Sequence, residues 1–184
     1  MNKSIWIIVA IVGTLLVSAM FSYNTLVSMN ESVNGKWSQI ENQLQRRTDL
    51  IPNLVNTVKG YAAHEQQAIS AVADARAKLA GAQGPVGKAQ ADSELSSALS
   101  RLLVVVENYP NLKADANFRS LMDELSGTEN RIAVARKDYN DSVQGYNTKI
   151  RSLPTSLFAG AMGFGPKEYF QAAEGAKQVP EVKF

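Results

Sequence analysis

The stretch Leu26-Val27-Ser28-Met29-Asn30-Glu31-Ser32-Val33-Asn34-Gly35-Lys36-Trp37-Ser38-Gln39-Ile40-Glu41-Asn42-Gln43-Leu44 sets the architecture. Apolar side chains recur at Leu26, Val33, Trp37, Ile40 and Leu44, with Asn30 filling one place. The steps run four, three, four, three, four, which is a heptad seam on one face of a helix. Upstream, in the same phase and with no breaker, lies Ile5-Trp6-Ile7-Ile8-Val9-Ala10-Ile11-Val12-Gly13-Thr14-Leu15-Leu16-Val17-Ser18-Ala19-Met20-Phe21. No residue from Ser4 to Asn30 is charged. A helix needs about 20 such residues to cross the hydrocarbon of a bilayer. Ile5, Trp6, Leu15 and Phe21 mark the span, and Trp6 and Tyr23 sit near its two ends, where amphipathic rings prefer to lie.

A cleaved signal peptide is the competing reading, with Val17-Ser18-Ala19 as the cleavage site. The apolar run exceeds the roughly 7–15 residues of a signal-peptide core, and helical periodicity continues beyond it. A retained anchor is therefore expected, with one helix running from Ser4 to about Arg47. Lys3 and the α-amine precede the span, whereas Glu31 follows it. The positive-inside tendency then puts the N-terminus in the cytoplasm and the main domain on the far side of the membrane.

Further seams follow. Thr48-Asp49 offers a cap, with Pro52 in the next first turn, for a second helix through Ile51, Val55, Val58, Ala62, Glu65, Ile69, Val72, Arg76 and Leu79. The glycine-rich residues 81–87 form a loop. A third helix carries Leu95, Leu99, Leu102, Val106 and Tyr109, and residues 108–113 turn around Pro110. Asp115 caps a fourth helix through Phe118, Leu121, Leu125, Ile132, Tyr139, Val143, Tyr146, Ile150 and Leu153, ended by Pro154. The expected fold is all-α: a transmembrane helix continuing into an antiparallel four-helix bundle, with a partly irregular C-terminal tail. By composition the chain divides into an anchor (1–30), a bundle (31–153) and an apolar, glycine-rich tail (154–184), in which residues 167–176 suggest a short helix.

Composition excludes several chemistries. The 184 residues include no cysteine, which removes disulfides, thiolate metal sites and cysteine nucleophiles. His64 is the one histidine, and its zincin-like start His64-Glu65-Gln66-Gln67-Ala68 has alanine where a second ligand belongs. No metal, cofactor or catalytic residue is expected. The 19 basic and 17 acidic residues give a formal charge of +2, without the concentrated basic excess that nucleic acid requires. Glu41, Glu65, Glu107, Glu124 and Glu129 supply carboxylates for a hydrolase, but nothing in the spacing pairs two of them.

Four charges stand on or beside apolar seams: Glu65, Arg76, Glu129 and Arg136. A buried charge is costly unless paired, so these are expected to pair between helices and fix register. The repeats Tyr139-Asn140 and Tyr146-Asn147 lie seven residues apart on one stripe, suited to packed rings with satisfied amides or to a polar ladder between protomers. Arg46-Arg47 fits a helix-end role better than headgroup binding. In the tail, Leu157, Phe158, Met162, Phe164, Tyr169, Phe170 and the terminal Phe184 would leave an apolar surface if exposed, and such patches mark interaction sites. Docking on the chain's own bundle is the first expectation, and docking on a neighbouring protomer or on the membrane are its rivals.

The chain resembles the LemA family. The carrying residues are Trp37-Ser38-Gln39-Ile40-Glu41, Gln43-Leu44-Gln45-Arg46-Arg47, Asp49-Leu50-Ile51-Pro52-Asn53-Leu54 and Val58-Lys59-Gly60-Tyr61. They continue through Val105-Val106-Glu107-Asn108-Tyr109-Pro110-Asn111-Leu112-Lys113, Thr128-Glu129-Asn130-Arg131-Ile132 and Tyr146-Asn147, to Pro180 and Phe184. The resemblance implies a bacterial protein with one N-terminal transmembrane helix and an antiparallel bundle, with no established catalysis or cofactor. It also implies gene neighbours of two kinds, an HtpX-type membrane protease and a TPM-domain protein. The expected function is that of a non-enzymatic, bilayer-anchored structural protein of the envelope that forms homo-oligomers. An adaptor for a membrane protease is the alternative.

Overall fold

The computed structural model describes residues 3–62 and 64–171, with side chains from Trp6 onward. Ile5 lies on the first helix, but its side chain, like all of Phe184, is outside the described residues. Five α-helices follow one another among the described residues: α1 (Lys3–Tyr61), α2 (Gln66–Gly81), α3 (Gly84–Val106), α4 (Pro110–Ala114) and α5 (Ala116–Arg151). A 3₁₀ turn, Thr155–Leu157, comes after α5, and no strand occurs among the described residues. The fold is all-α, as the periodicity predicts.

The partition into helices differs from expectation at one place above all. The first helix does not stop near Arg47; it runs on to Tyr61 with Pro52 inside it. Ile40, Leu44, Arg47, Ile51, Leu54 and Val58 follow the four-three rhythm without a phase change, and all are buried. Continuous burial on one face holds the helix together where proline weakens it locally. The reversal comes instead between α1 and α2, where Ala62 N–H donates to the Val58 carbonyl (2.8 Å) and Glu65 N–H to that of Ala62 (3.1 Å).

Three smaller differences follow. The loop after α2 is shorter than residues 81–87, because Gly84 adopts φ +67° and Pro85 starts α3 in a first turn that needs no N–H from it. The expected turn 108–113 contains the short helix α4. The expected helix at 167–176 is absent as far as Gln171, and residues 172–176 lie outside the described residues.

The chain forms two compact units, and they cut across the compositional boundaries at 30 and 153. One unit comprises Met1–Ser38 with Lys137–Glu168. Here α1 and α5 are antiparallel: Lys36 Nζ reaches Asp138 Oδ2 (3.1 Å), and Ser22 lies beside Thr155. Leu26, Val33, Tyr139, Val143, Tyr146 and Ile150 form its core. From Trp6 through Leu15 to Phe21, every large apolar side chain of α1 is at least 45% exposed. That stretch is long and apolar enough to cross a membrane, with mean hydropathy 2.1 and only 6% of the window buried. Such exposure separates it from the core helix of a soluble protein.

The other unit comprises Gln39–Arg136 with Tyr169–Phe184. Its helices run up and down in turn. Arg76 on α2 reaches back to Thr48 on α1, Lys78 on α2 pairs with Glu94 on α3, and Arg46 on α1 pairs with Glu124 on α5. Ile51, Leu54, Val72, Leu79, Leu95, Leu102, Leu125 and Ile132 fill the interior.

Candidate functional site

The most demanding chemistry of the Gln39–Arg136 unit surrounds Asp92 on α3. Its side chain is fully buried, and Arg47 on α1 is 5% exposed beside it. Arg47 Nη1 donates to Asp92 Oδ1 at 2.5 Å and lies 2.6 Å from Glu129 Oε2, while its Nη2 donates to Ser96 Oγ at 3.0 Å. Arg136 Nη2 donates to the second oxygen of Asp92. Two guanidiniums and two carboxylates thus join α1, α3 and α5 with no net charge. Fork-shaped guanidinium donors suit this bridging, since each presents several N–H groups in a fixed plane. On its other side, Arg136 lies over the ring of Phe170 at 4.6 Å from the centroid, a cation–π contact that covers the ring.

Of the four polar residues singled out from sequence, Glu129 and Arg136 therefore meet opposite charges across helices. Glu65 and Arg76 take neutral partners. The Tyr109 hydroxyl donates to Glu65 Oε1 at 2.9 Å, and that bond, with burial behind it, raises the tyrosine above its ordinary range. Arg76 Nε donates to the Thr48 carbonyl at 2.9 Å. Among the other carboxylates considered for catalysis, Glu107 is held by Lys113 (2.6 Å) and Glu124 by Arg46 (2.5 Å). No three metal-binding side chains converge among the described residues.

The sequence pattern does not single out Asp92, and it gives Arg47 a helix-end role. Arg47 instead stands mid-helix and buried. The signal was present: Arg47 continues Ile40–Leu44 at the next three-step, and Asp92 precedes Leu95 by three on the α3 seam. Both occupy positions whose neighbours in the rhythm are apolar.

In the other unit, the Tyr–Asn stripe grips the chain's own C-terminal segment. Asn147 is buried and uses its whole amide: Nδ2 donates to the Lys167 carbonyl (2.9 Å), and Oδ1 accepts from the Lys167 N–H (2.8 Å). The Tyr139 hydroxyl donates to the Glu168 carbonyl at 2.8 Å, and its ring packs on Trp37 at 5.5 Å. Burial, then the nearby charge of Glu168, raises Tyr139 above the ordinary tyrosine range. These bonds hold residues 167 and 168 out of helix, which explains why the expected short helix is missing there.

The apolar residues named for the tail have different surroundings. Phe158, Met162, Phe164 and Tyr169 are half-buried, and Phe164 meets Tyr23 edge-on at 5.8 Å. Phe170 is 3% exposed, so its ring is covered within this chain and offers no free face. Phe184 lies outside the described residues. Leu153 and Leu157, by contrast, are 75% and 65% exposed. In the Gln39–Arg136 unit, a groove of about 380 Å³ lies between α3 and α5, lined by Arg47, Leu99, Leu103, Met122, Leu125 and Glu129 among others.

Comparison with known proteins places this geometry. The model of the LemA family matches residues 36–184. Magnetosome protein MamQ 2 of Paramagnetospirillum magneticum is 34% identical over 194 residues, spanning 91% of this chain and 70% of its own length. Magnetosome protein MamQ of Magnetospirillum gryphiswaldense is 32% identical over a similar span. Protein LemA of Metamycoplasma hominis is 24% identical over 152 residues, 82% of this chain and 69% of the relative.

Proposed function

The chain belongs to the LemA family, and on that premise we propose that it is a membrane-anchored, non-enzymatic interaction protein of the bacterial envelope that associates with copies of itself. The observation that carries this reading is the uncovered apolar surface of α1 from Trp6 to Phe21, which passes without a break into a bundled helix. Water is a poor environment for that surface and a lipid core is a good one. Asp92 and the three charges around it neutralise one another, which suits a scaffold that holds helices in register. Anchored protomers share a plane, and confinement raises their effective concentration for side-by-side contact. The N-terminus lies in the cytoplasm and the bundle beyond the inner membrane.

The test is the native mass of full-length protein extracted from membranes in mild detergent. A discrete homo-oligomer supports self-association, and a monomer at all concentrations contradicts it.

A second reading, an adaptor for a membrane protease, draws on the α3–α5 groove, whose leucines and Met122 would accept an apolar partner segment. It predicts a monomer that becomes part of a larger complex only when the protease is present.

A further inference from the structure

We infer that the turn formed by residues 152–166 is a second membrane-contact element, which seats its apolar side chains in the acyl–headgroup boundary beside the point where α1 leaves the bilayer. This inference rests on the proposed membrane anchor.

The first support is level. A bilayer core takes about 20 helical residues, so a span starting at Ser4 ends near Tyr23. The turn packs against α1 at that height: Thr155 Oγ1 lies 3.4 Å from Ser22 Oγ, and Phe164 meets the Tyr23 ring at 5.8 Å. On α1 at the same height, Met20 and Phe21 are 69% and 71% exposed. The exposed Leu153 and Leu157 thus extend an apolar surface that already belongs to the span.

The second support is backbone chemistry. Polar groups entering an apolar medium must find partners within the protein. In this turn the N–H groups of Ser156, Leu157, Phe158, Ala159, Met162, Gly163 and Phe164 all donate to carbonyls within residues 152–160. Gly163, at φ +81°, closes the turn in a conformation that favours glycine.

The third support is charge. No residue from Ser152 to Pro166 is charged, whereas Lys149 and Arg151 precede the turn and Lys167 follows it. Cations flanking an uncharged apolar segment suit the negative headgroup region of a membrane rich in acidic lipid. The occupant is therefore a lipid surface, with a second copy of the chain as the competing occupant.

The natural absence of cysteine makes the test clean. Leu157→Cys, Val12→Cys and Val104→Cys variants of the full chain are labelled with an environment-sensitive fluorophore. They are reconstituted in vesicles of phosphatidylcholine and phosphatidylglycerol. All three positions are exposed, so the fold is preserved, as circular dichroism will verify. Shallow nitroxide lipids should quench the probe at 157 several-fold more than the probe at 104, and aqueous iodide should quench it several-fold less. The double variant Lys149→Glu/Arg151→Glu should reduce the lipid quenching at 157. Iodide quenching at 157 equal to that at 104, with the probe at 12 deep in lipid, would overturn this inference and leave the anchor standing. A water-exposed probe at 12 would overturn both. Protection at 157 that disappears as protein is diluted into more lipid would assign the surface to a second copy and overturn lipid contact.

Discussion

Arg76 Nε, on α2, donates to the main-chain carbonyl of Thr48, on α1, at 2.9 Å. In an uninterrupted helix that carbonyl would accept the N–H of residue 52, but residue 52 is proline and has none. A side chain from the neighbouring helix thus replaces the bond that proline removes, where α1 passes straight through a position that would otherwise invite a break. Arg76→Met should destabilise the protein by about 1–3 kcal/mol, the cost of leaving a partly buried acceptor unpaired. In a Pro52→Ala background, which restores the N–H, the same substitution should cost less. Thermal melts of the four proteins in a double-mutant cycle measure the difference, and strict additivity would show that the bond has no such role.

Asp92 faces two guanidiniums and is fully buried. Asp92→Asn should cost about 3–5 kcal/mol, because two cations lose their buried counter-charge. Glu129 is 43% exposed, so water replaces much of what Glu129→Gln removes, and a smaller but measurable fall in melting temperature is expected. An unchanged melting temperature for Glu129→Gln would remove Glu129 from the set of residues that fix register.

Asn147→Leu keeps the volume and removes both bonds to the Lys167 backbone. The segment around residues 164–171 should then become open to limited proteolysis while the helices stay intact by circular dichroism. Cleavage at the wild-type rate would mean that the amide does not hold this segment.

Asp115 caps α5, accepting the Phe118 N–H at Oδ1 (2.9 Å) and the Tyr61 hydroxyl at Oδ2 (3.0 Å). The Phe118 bond first, then that of Tyr61, holds its carboxyl below the usual aspartate value. A depressed folded-state pKa stabilises the protein above the unfolded carboxyl value, and that contribution fades as pH falls through the folded one. Asp115→Asn should therefore melt below wild type at neutral pH, and the gap should narrow as the carboxylate range is crossed in acid. A gap independent of pH would show that the cap acts through shape alone.

Much of this fold is legible as rhythm. Leu26, Val33, Ile40 and Leu44 are buried as their spacing predicts, and Asp115 caps α5 as its position suggests. Thr48, Asp49 and Pro52 supply local start signals that point to a boundary near Arg47, and seam burial outweighs them. The real reversal was hidden because Val58, Ala62, Glu65 and Ile69 keep the heptad phase straight through it. Spacing alone cannot register a break that preserves phase. Arg47 and Asp92 were legible as charges on seams, but their pairing is a relation between α1 and α3 that no local pattern contains. The clamp of Asn147 on Lys167 is illegible for a different reason: its partner is backbone, which carries no residue identity.

The most direct test of the account is a cysteine scan along α1 in native membranes, read with a membrane-impermeant maleimide. Substitutions from Trp6 to Phe21 should be protected until the membrane is dissolved, whereas exposed positions such as Glu31, Asn34 and Gln45 should react on the side where the bundle lies. Free reaction throughout Trp6 to Phe21 in intact membranes would contradict the claim that α1 crosses the bilayer and emerges, unbroken, as a helix of the bundle.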